Sequence, residues 1–224
     1  MFPGGVQAGV AKKITILTAI YGAYDALKPL PAQDYPDVDA ICVTDDSGAS
    51  GGGWRLVVEP RPGIHPNLAA KRPKMLPWAY TDADIAIWVD ASYRVTSPGL
   101  AAWLADYPFA QYPHPARDCL FAEAAYSAGM PKYAGLPLAA QTDHYRAAGH
   151  PPGWGLWATG IIVRHRTDLI EAFGATWLAE CERWGYQDQV SHPYALRTSG
   201  LRPAPLPGSH LQGPHLNYEG SQHH

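Results

Sequence analysis

Five consecutive apolar residues, Ile85-Ala86-Ile87-Trp88-Val89, run directly into an acid, Asp90. A strand with one wet face alternates apolar and polar residues, so an unbroken run predicts a strand buried on both faces in the middle of a sheet. Burying both faces takes helices above and below, which points to an α/β architecture. Shorter β-rich runs at 14–20, 38–44, 54–59, 109–112 and 156–164 supply the other strands. Helical spacing is expected over 67–80, 100–105, 119–128 and 133–148. It is clearest over 168–184, where Leu169, Ile170, Phe173, Trp177, Cys181 and Trp184 recur at one, three and four residues. Asp168 and Glu171 have the spacing of a capping box at its start.

The expected organisation is one domain with a mostly parallel central sheet covered by helices on both faces, over residues 12–200. A flexible leader, 1–11, precedes it, and a Pro/Gly/His-rich tail, 201–224, folds back over the site. At 224 residues with 46% hydrophobic and 17% charged side chains, the chain is apolar enough to bury a full core. Its net charge of −3 offers no overall field for a polyanion, so nucleic acid is disfavoured as a partner, a local basic groove apart. Three widely spaced cysteines, Cys42, Cys119 and Cys181, suggest neither a disulfide framework nor a zinc site. No stretch reaches the roughly 18 apolar residues of a membrane helix. Together these lead us to expect a cytoplasmic protein with no membrane partner. With 22 Gly, 22 Pro, eight Trp and 13 Tyr, long loops bearing aromatic platforms should carry the function.

In such sheets ligands bind beyond the carboxyl ends of the strands, where Tyr21, Asp45 and Asp90 are expected to converge. Asp90 reads two ways, as a hard oxygen ligand for Mg²⁺ or Mn²⁺ or as a turn cap. Lys71-Arg72-Pro73-Lys74 places three cations just upstream, a grip for two phosphates or a solvated face. In Gln187-Asp188-Gln189 the acid either meets sugar hydroxyls and assists at the reacting carbon or caps a helix. His210 and His215 lie in a Pro/Gly loop free to fold back toward a metal, whereas most loop histidines do nothing of the kind. The terminal pair His223-His224 reads as a tail remnant.

In order, Thr18-Ala19-Ile20-Tyr21-Gly22-Ala23-Tyr24-Asp25, Ile41-Cys42-Val43-Thr44-Asp45, Trp54, Ala70-Lys71-Arg72-Pro73-Lys74 and Ile87-Trp88-Val89-Asp90 form a series. It continues with His114, Arg117, Cys119, Glu123, Gly155-Leu156, Thr159-Gly160-Ile161, Arg164 and Asp188-Gln189. Over about residues 14–197 the series resembles a glycosyltransferase-like family that includes plant proteins of mucilage xylan synthesis and turgor regulation. The motif order is also similar to glycogenin-like glycosyltransferases. The resemblance implies a GT-A-like fold and a transferase using a nucleoside-diphosphate sugar. It implies that Ala19, Ile20, Tyr21 and Asp45 line the nucleotide pocket, that Lys71 and Lys74 approach the diphosphate, and that Gln189 assists at the donor. Asp188 and Asp90 would be the catalytic acids. Asp90, Ser92, His210 and His215 would be the candidate shell of a divalent metal, manganese or magnesium. Ser92 stands where the glycogenin-like pattern has an acid.

The leading expectation is therefore metal-assisted transfer of a sugar to an unidentified hydroxyl acceptor. The alternatives are a non-catalytic carbohydrate- or nucleotide-binding module, a nucleotidyltransferase, and a glycosyltransferase acting on a hydroxylated base of nucleic acid.

Overall fold

The computed structural model describes residues 11–49 and 51–220. All of the expected leader except Ala11, and the terminal histidine pair, lie outside the described residues. The strands are β1 (Ile14–Ile20), β2 (Val38–Thr44), β3 (Arg55–Val58), β4 (Ile85–Val89), β5 (Tyr93–Val95), β6 (Phe109–Pro113), β7 (Trp157–His165), β8 (Ala204–Pro205) and β9 (Leu216–Tyr218). The helices are α1 (Pro66–Ala69), α2 (Lys71–Met75), α3 (Leu100–Leu104), α4 (Leu120–Ala128), α5 (Leu138–Ala147), α6 (Asp168–Trp184) and α7 (Asp188–Thr198). Seven strands form one sheet in the order β3-β2-β1-β4-β7-β6-β8, and β5 pairs with β9 separately. Strands β3, β2, β1 and β4 run parallel, β7 is antiparallel to both of its neighbours, and β8 is parallel to β6.

The continuous apolar run is indeed central. Every residue of β4 is buried, and the two-residue alternation sends its side chains to opposite cores. Ile85, Ile87 and Val89 join Ile14, Ile16 and the α3 residues Leu100, Ala101 and Leu104 on one face. Ala86 and Trp88 join Leu17, Ala19 and the α6 residues Phe173, Trp177 and Cys181 on the other. Each fully buried Ile or Leu contributes on the order of 1.5–3 kcal/mol of transfer free energy. Both faces are covered, and the chain is a single-domain, GT-A-like α/β protein.

Several element boundaries differ from expectation for identifiable reasons. The single helix expected over 67–80 is three short pieces, α1, α2 and a 3-10 turn at Pro77–Ala79. Pro66 and Pro77 each open their piece, and Pro73 falls in the first turn of α2, where a missing N–H costs no intrahelical bond. The helix expected over 133–148 begins at Leu138, after Gly135 at φ +84° and Pro137. At the start of α6 the cap is Thr167, whose hydroxyl accepts from the Ile170 N–H at 3.2 Å, so Asp168 and Glu171 lie in the first turn instead of forming the box. There the two acids complement the positive helix end. Strands β5, β8 and β9 were not expected, and helix α7 was foreseen only as an element that Asp188 would cap; Asp188 is instead its first residue, with Gln187 at the cap position. Among the described residues no helix is long and apolar enough to cross a membrane.

Helix α6 lies on α2 at Gly174. A Cβ added there would stand 2.1 Å from the Met75 carbonyl oxygen, which is backbone and cannot swing aside. Gly174→Ala is therefore expected to destabilise the fold by roughly 1–3 kcal/mol, more than the gain in helix propensity. A urea midpoint equal to or above that of the wild type would contradict this packing.

Candidate active site

The parallel strands β1 and β4 end side by side, and the antiparallel β7 enters beside β4 from the opposite direction. The Asp90 N–H donates to the Gly160 carbonyl at 2.8 Å, which brings Thr159 and Gly160 next to the acid. Helix α2 packs across β1 and α6, with the Arg164 guanidinium of β7 donating to the Lys74 carbonyl at 2.7 Å. The first residue of α7 is Asp188. Five segments, from β1, α2, β4, β7 and α7, thus meet at one end of the sheet, around a cavity of about 580 Å³. That size lies within the range typical of small-molecule sites.

The floor of the cavity is a charge cluster. Lys74 Nζ lies 2.7 Å from Asp188 Oδ2 and 3.3 Å from Asp90 Oδ1, and it donates to Thr159 Oγ1 at 3.3 Å. Lys71 Nζ approaches Asp188 Oδ1 at 3.1 Å. The Trp88 indole N–H donates to Asp90 Oδ1 at 2.5 Å, and the Lys74 ammonium stands 5.8 Å and 5.9 Å from the Trp88 and Trp177 ring centroids. Asp188 is held from behind, because the Trp177 indole N–H and the Ser191 hydroxyl both donate to its carbonyl. Burial pushes the Asp188 carboxyl up, but Lys71 and Lys74 outweigh it and hold the group far below the usual carboxylate range. Burial likewise lowers the Lys74 ammonium, while Asp188 and Asp90 overcome it and raise its pKa.

Of the residues singled out from sequence, Ala19, Ile20, Tyr21, Lys71, Lys74, Asp90, Ser92, Asp188, Gln189 and His210 border this cavity. Asp45 does not. Its two carboxylate oxygens each accept from the Gly22 N–H at 3.0 Å, so it pins the turn after β1 that presents Tyr21. His215 also lies outside the lining, stacked on Trp103 at 5.1 Å and hydrogen-bonded to Ser97 Oγ at 3.1 Å. Pairing of β9 with β5 brings the tail back to the opening, where Leu211 and Tyr218 join His210.

Sequence reading missed the opposite wall. Glu123 of α4 is buried and accepts from Arg117 Nε at 2.5 Å and from Gln187 Nε2 at 3.3 Å. Besides Tyr21 and Tyr93, the tyrosines Tyr24, Tyr126, Tyr133, Tyr186 and Tyr218 border the space, with His65 stacked on Tyr186 at 4.1 Å. The His114-Arg117-Glu123 spacing was visible, but nothing local shows that α4 faces the carboxyl ends of the strands.

A divalent ion of the kind implied by the sequence resemblance needs several oxygen or nitrogen ligands with free lone pairs. Asp90 Oδ1 already accepts from Trp88 and Lys74, and both oxygens of Asp188 are engaged by lysines. Among the described residues no three His, Cys, Asp or Glu side chains come together to hold an ion. The side chains at this site do not fit a divalent metal centre.

One turn beyond Asp188, His192 is fully buried among Trp157, Phe173 and Trp177, and neither of its ring nitrogens has a hydrogen-bond partner among the described residues. Burial holds this imidazole neutral, down to about 3. Its folded value is thus depressed, so stability is complete above the unfolded value near 6.5 and is lost as pH falls below it. Each such group contributes a slope of at most about 1.4 kcal/mol per pH unit. Wild-type urea midpoints should drop between about pH 7 and about pH 5, and drop less in His192→Leu. Parallel profiles for the two proteins would show that the ring is hydrated in the fold.

A mostly parallel α/β sheet with a polar, aromatic-walled cavity at the carboxyl ends of its parallel strands is the setting in which such folds bind small-molecule ligands. The model of the TOD1/MUCI70 family, glycosyltransferase-like domain, matches residues 38–203, and the chain belongs to that family. No curated protein matches the sequence.

Proposed function

We propose that the protein transfers a sugar from a nucleoside-diphosphate donor to a hydroxyl acceptor. The observation that carries this reading is the Lys71, Lys74, Asp90 and Asp188 cluster at the floor of a cavity of about 580 Å³, in a chain with a glycosyltransferase-like domain. The diphosphate lies toward Lys71 and Lys74, and Ala19, Ile20 and Tyr21 border the nucleotide. The tyrosine walls pack on base and sugar. As the bond from the anomeric carbon to the diphosphate breaks, the departing electron pair is stabilised by cations already in place, which is where preorganised charge is most effective. The acceptor oxygen bonds to the anomeric carbon, and its proton passes to Asp90, the more exposed of the two acids. Asp188 is too weak a base for that step and acts by fixing both lysines.

The test is product analysis with a panel of nucleotide sugars and simple glycoside acceptors. Free nucleoside diphosphate together with a lengthened acceptor is expected. Release of pyrophosphate would mean nucleotidyl transfer, and binding without turnover would mean a non-catalytic module.

A further inference from the structure

Lys74 reaches the cavity floor from a short helix that is fixed on every side. Its carbonyl is held by Arg164, its ammonium lies beside the rings of Trp88 and Trp177, and its side chain is only 3% exposed. The ammonium lies between the Asp90 and Asp188 carboxylates, with Thr159 Oγ1 as a third oxygen at 3.3 Å. Three oxygen partners around one buried nitrogen form a complete donor set for a primary ammonium, which has three N–H groups. The charges also close: Lys71 and Lys74 balance Asp90 and Asp188. Two residues past Asp90 stands Ser92, a neutral side chain, so this loop presents one negative charge to the cavity. One ammonium matches one carboxylate, whereas a dication on Asp90 would press against Lys74 in surroundings where charge is weakly screened.

We propose that Lys74, with Lys71 beside it, is the resident cation of this site, and that the protein binds the diphosphate of its donor without a divalent metal. This rests on the donor reading above. When a diphosphate enters, its oxygens bond the Lys71 ammonium, which meets Asp188, and take the place of Thr159 Oγ1 at the Lys74 ammonium, and no ion accompanies it.

Binding is measured directly by isothermal calorimetry on the whole chain with UDP, GDP, CDP and ADP, once in EDTA and once in excess Mn²⁺. The nucleotide that binds should do so with affinities equal within about threefold in the two conditions, under 1 kcal/mol apart. In parallel, the free Mn²⁺ signal in electron paramagnetic resonance should be unchanged on adding protein. Lys74→Met should weaken nucleotide binding by about tenfold or more, with no recovery on adding Mn²⁺. Should Lys74→Met fail to fold, the wild-type comparison still decides. An affinity about tenfold or more higher in Mn²⁺ than in EDTA would overturn the resident-cation proposal and leave sugar transfer standing. Absence of binding by all four nucleotides in both conditions would overturn it together with the donor reading.

Discussion

Asp188→Asn is expected to abolish sugar transfer and to destabilise the fold by about 3–5 kcal/mol, the range for removing one partner of a buried ion pair. Asn preserves the shape and the backbone carbonyl contacts to Trp177 and Ser191. Among the described residues it leaves Lys71 without an ion-pair partner and Lys74 with Asp90 as its one remaining carboxylate. Urea unfolding and nucleotide binding, measured on the same preparation, check both halves. Because the folded carboxyl is depressed, its contribution is present above the unfolded value of 3.8 and is lost as pH falls below that value. The wild type and Asp188→Asn should therefore converge in stability only in strong acid. A variant as stable as the wild type at neutral pH would show that the cluster is hydrated and loosely held.

Trp177→Ala should cost a comparable amount, about 3–5 kcal/mol, through the cavity it leaves. The indole is fully buried, stacks on Phe173 at 5.7 Å and lies 4.5 Å from the His192 ring. It also connects core to chemistry, since its N–H donates to the Asp188 carbonyl at 3.0 Å and its ring flanks Lys74. Trp177→Phe fills most of the space but deletes that donor. Because Ser191 still bonds the same carbonyl, the expected loss is about 1 kcal/mol. A calorimetric scan separates the two variants, and nucleotide titration of Trp177→Phe reports whether the start of α7 has moved. Equal melting temperatures for Ala and Phe would rule out packing as the main contribution of this residue.

Where periodicity was unambiguous, the fold was legible. The apolar run of β4 and the three-and-four spacing of α6 each arise from burial against a flat partner, and that pattern is written locally. Helix α7 was not, because its buried side chains include Asp188, Ser191, His192 and Pro193, which break any apolar stripe. Those residues are buried because other segments satisfy or cover them. The same reason hid the wall of Glu123 and Arg117.

Sequence alone determined that the sheet is covered on both faces and that Asp90 stands at the end of its central strand, and it marked Lys71 and Lys74, just upstream of that strand, as candidate phosphate grips. It also brought Asp188 and Gln189 into view as candidates. Only the tertiary structure decided the partnerships. It turned Asp45 onto the Gly22 amide and His215 onto Trp103, and it joined Lys74 to Asp90 across 16 positions and to Thr159 across 85. A strand or helix records its own burial through the period of its residues, whereas a salt bridge between segments depends on where the chain returns, and no local pattern encodes that return.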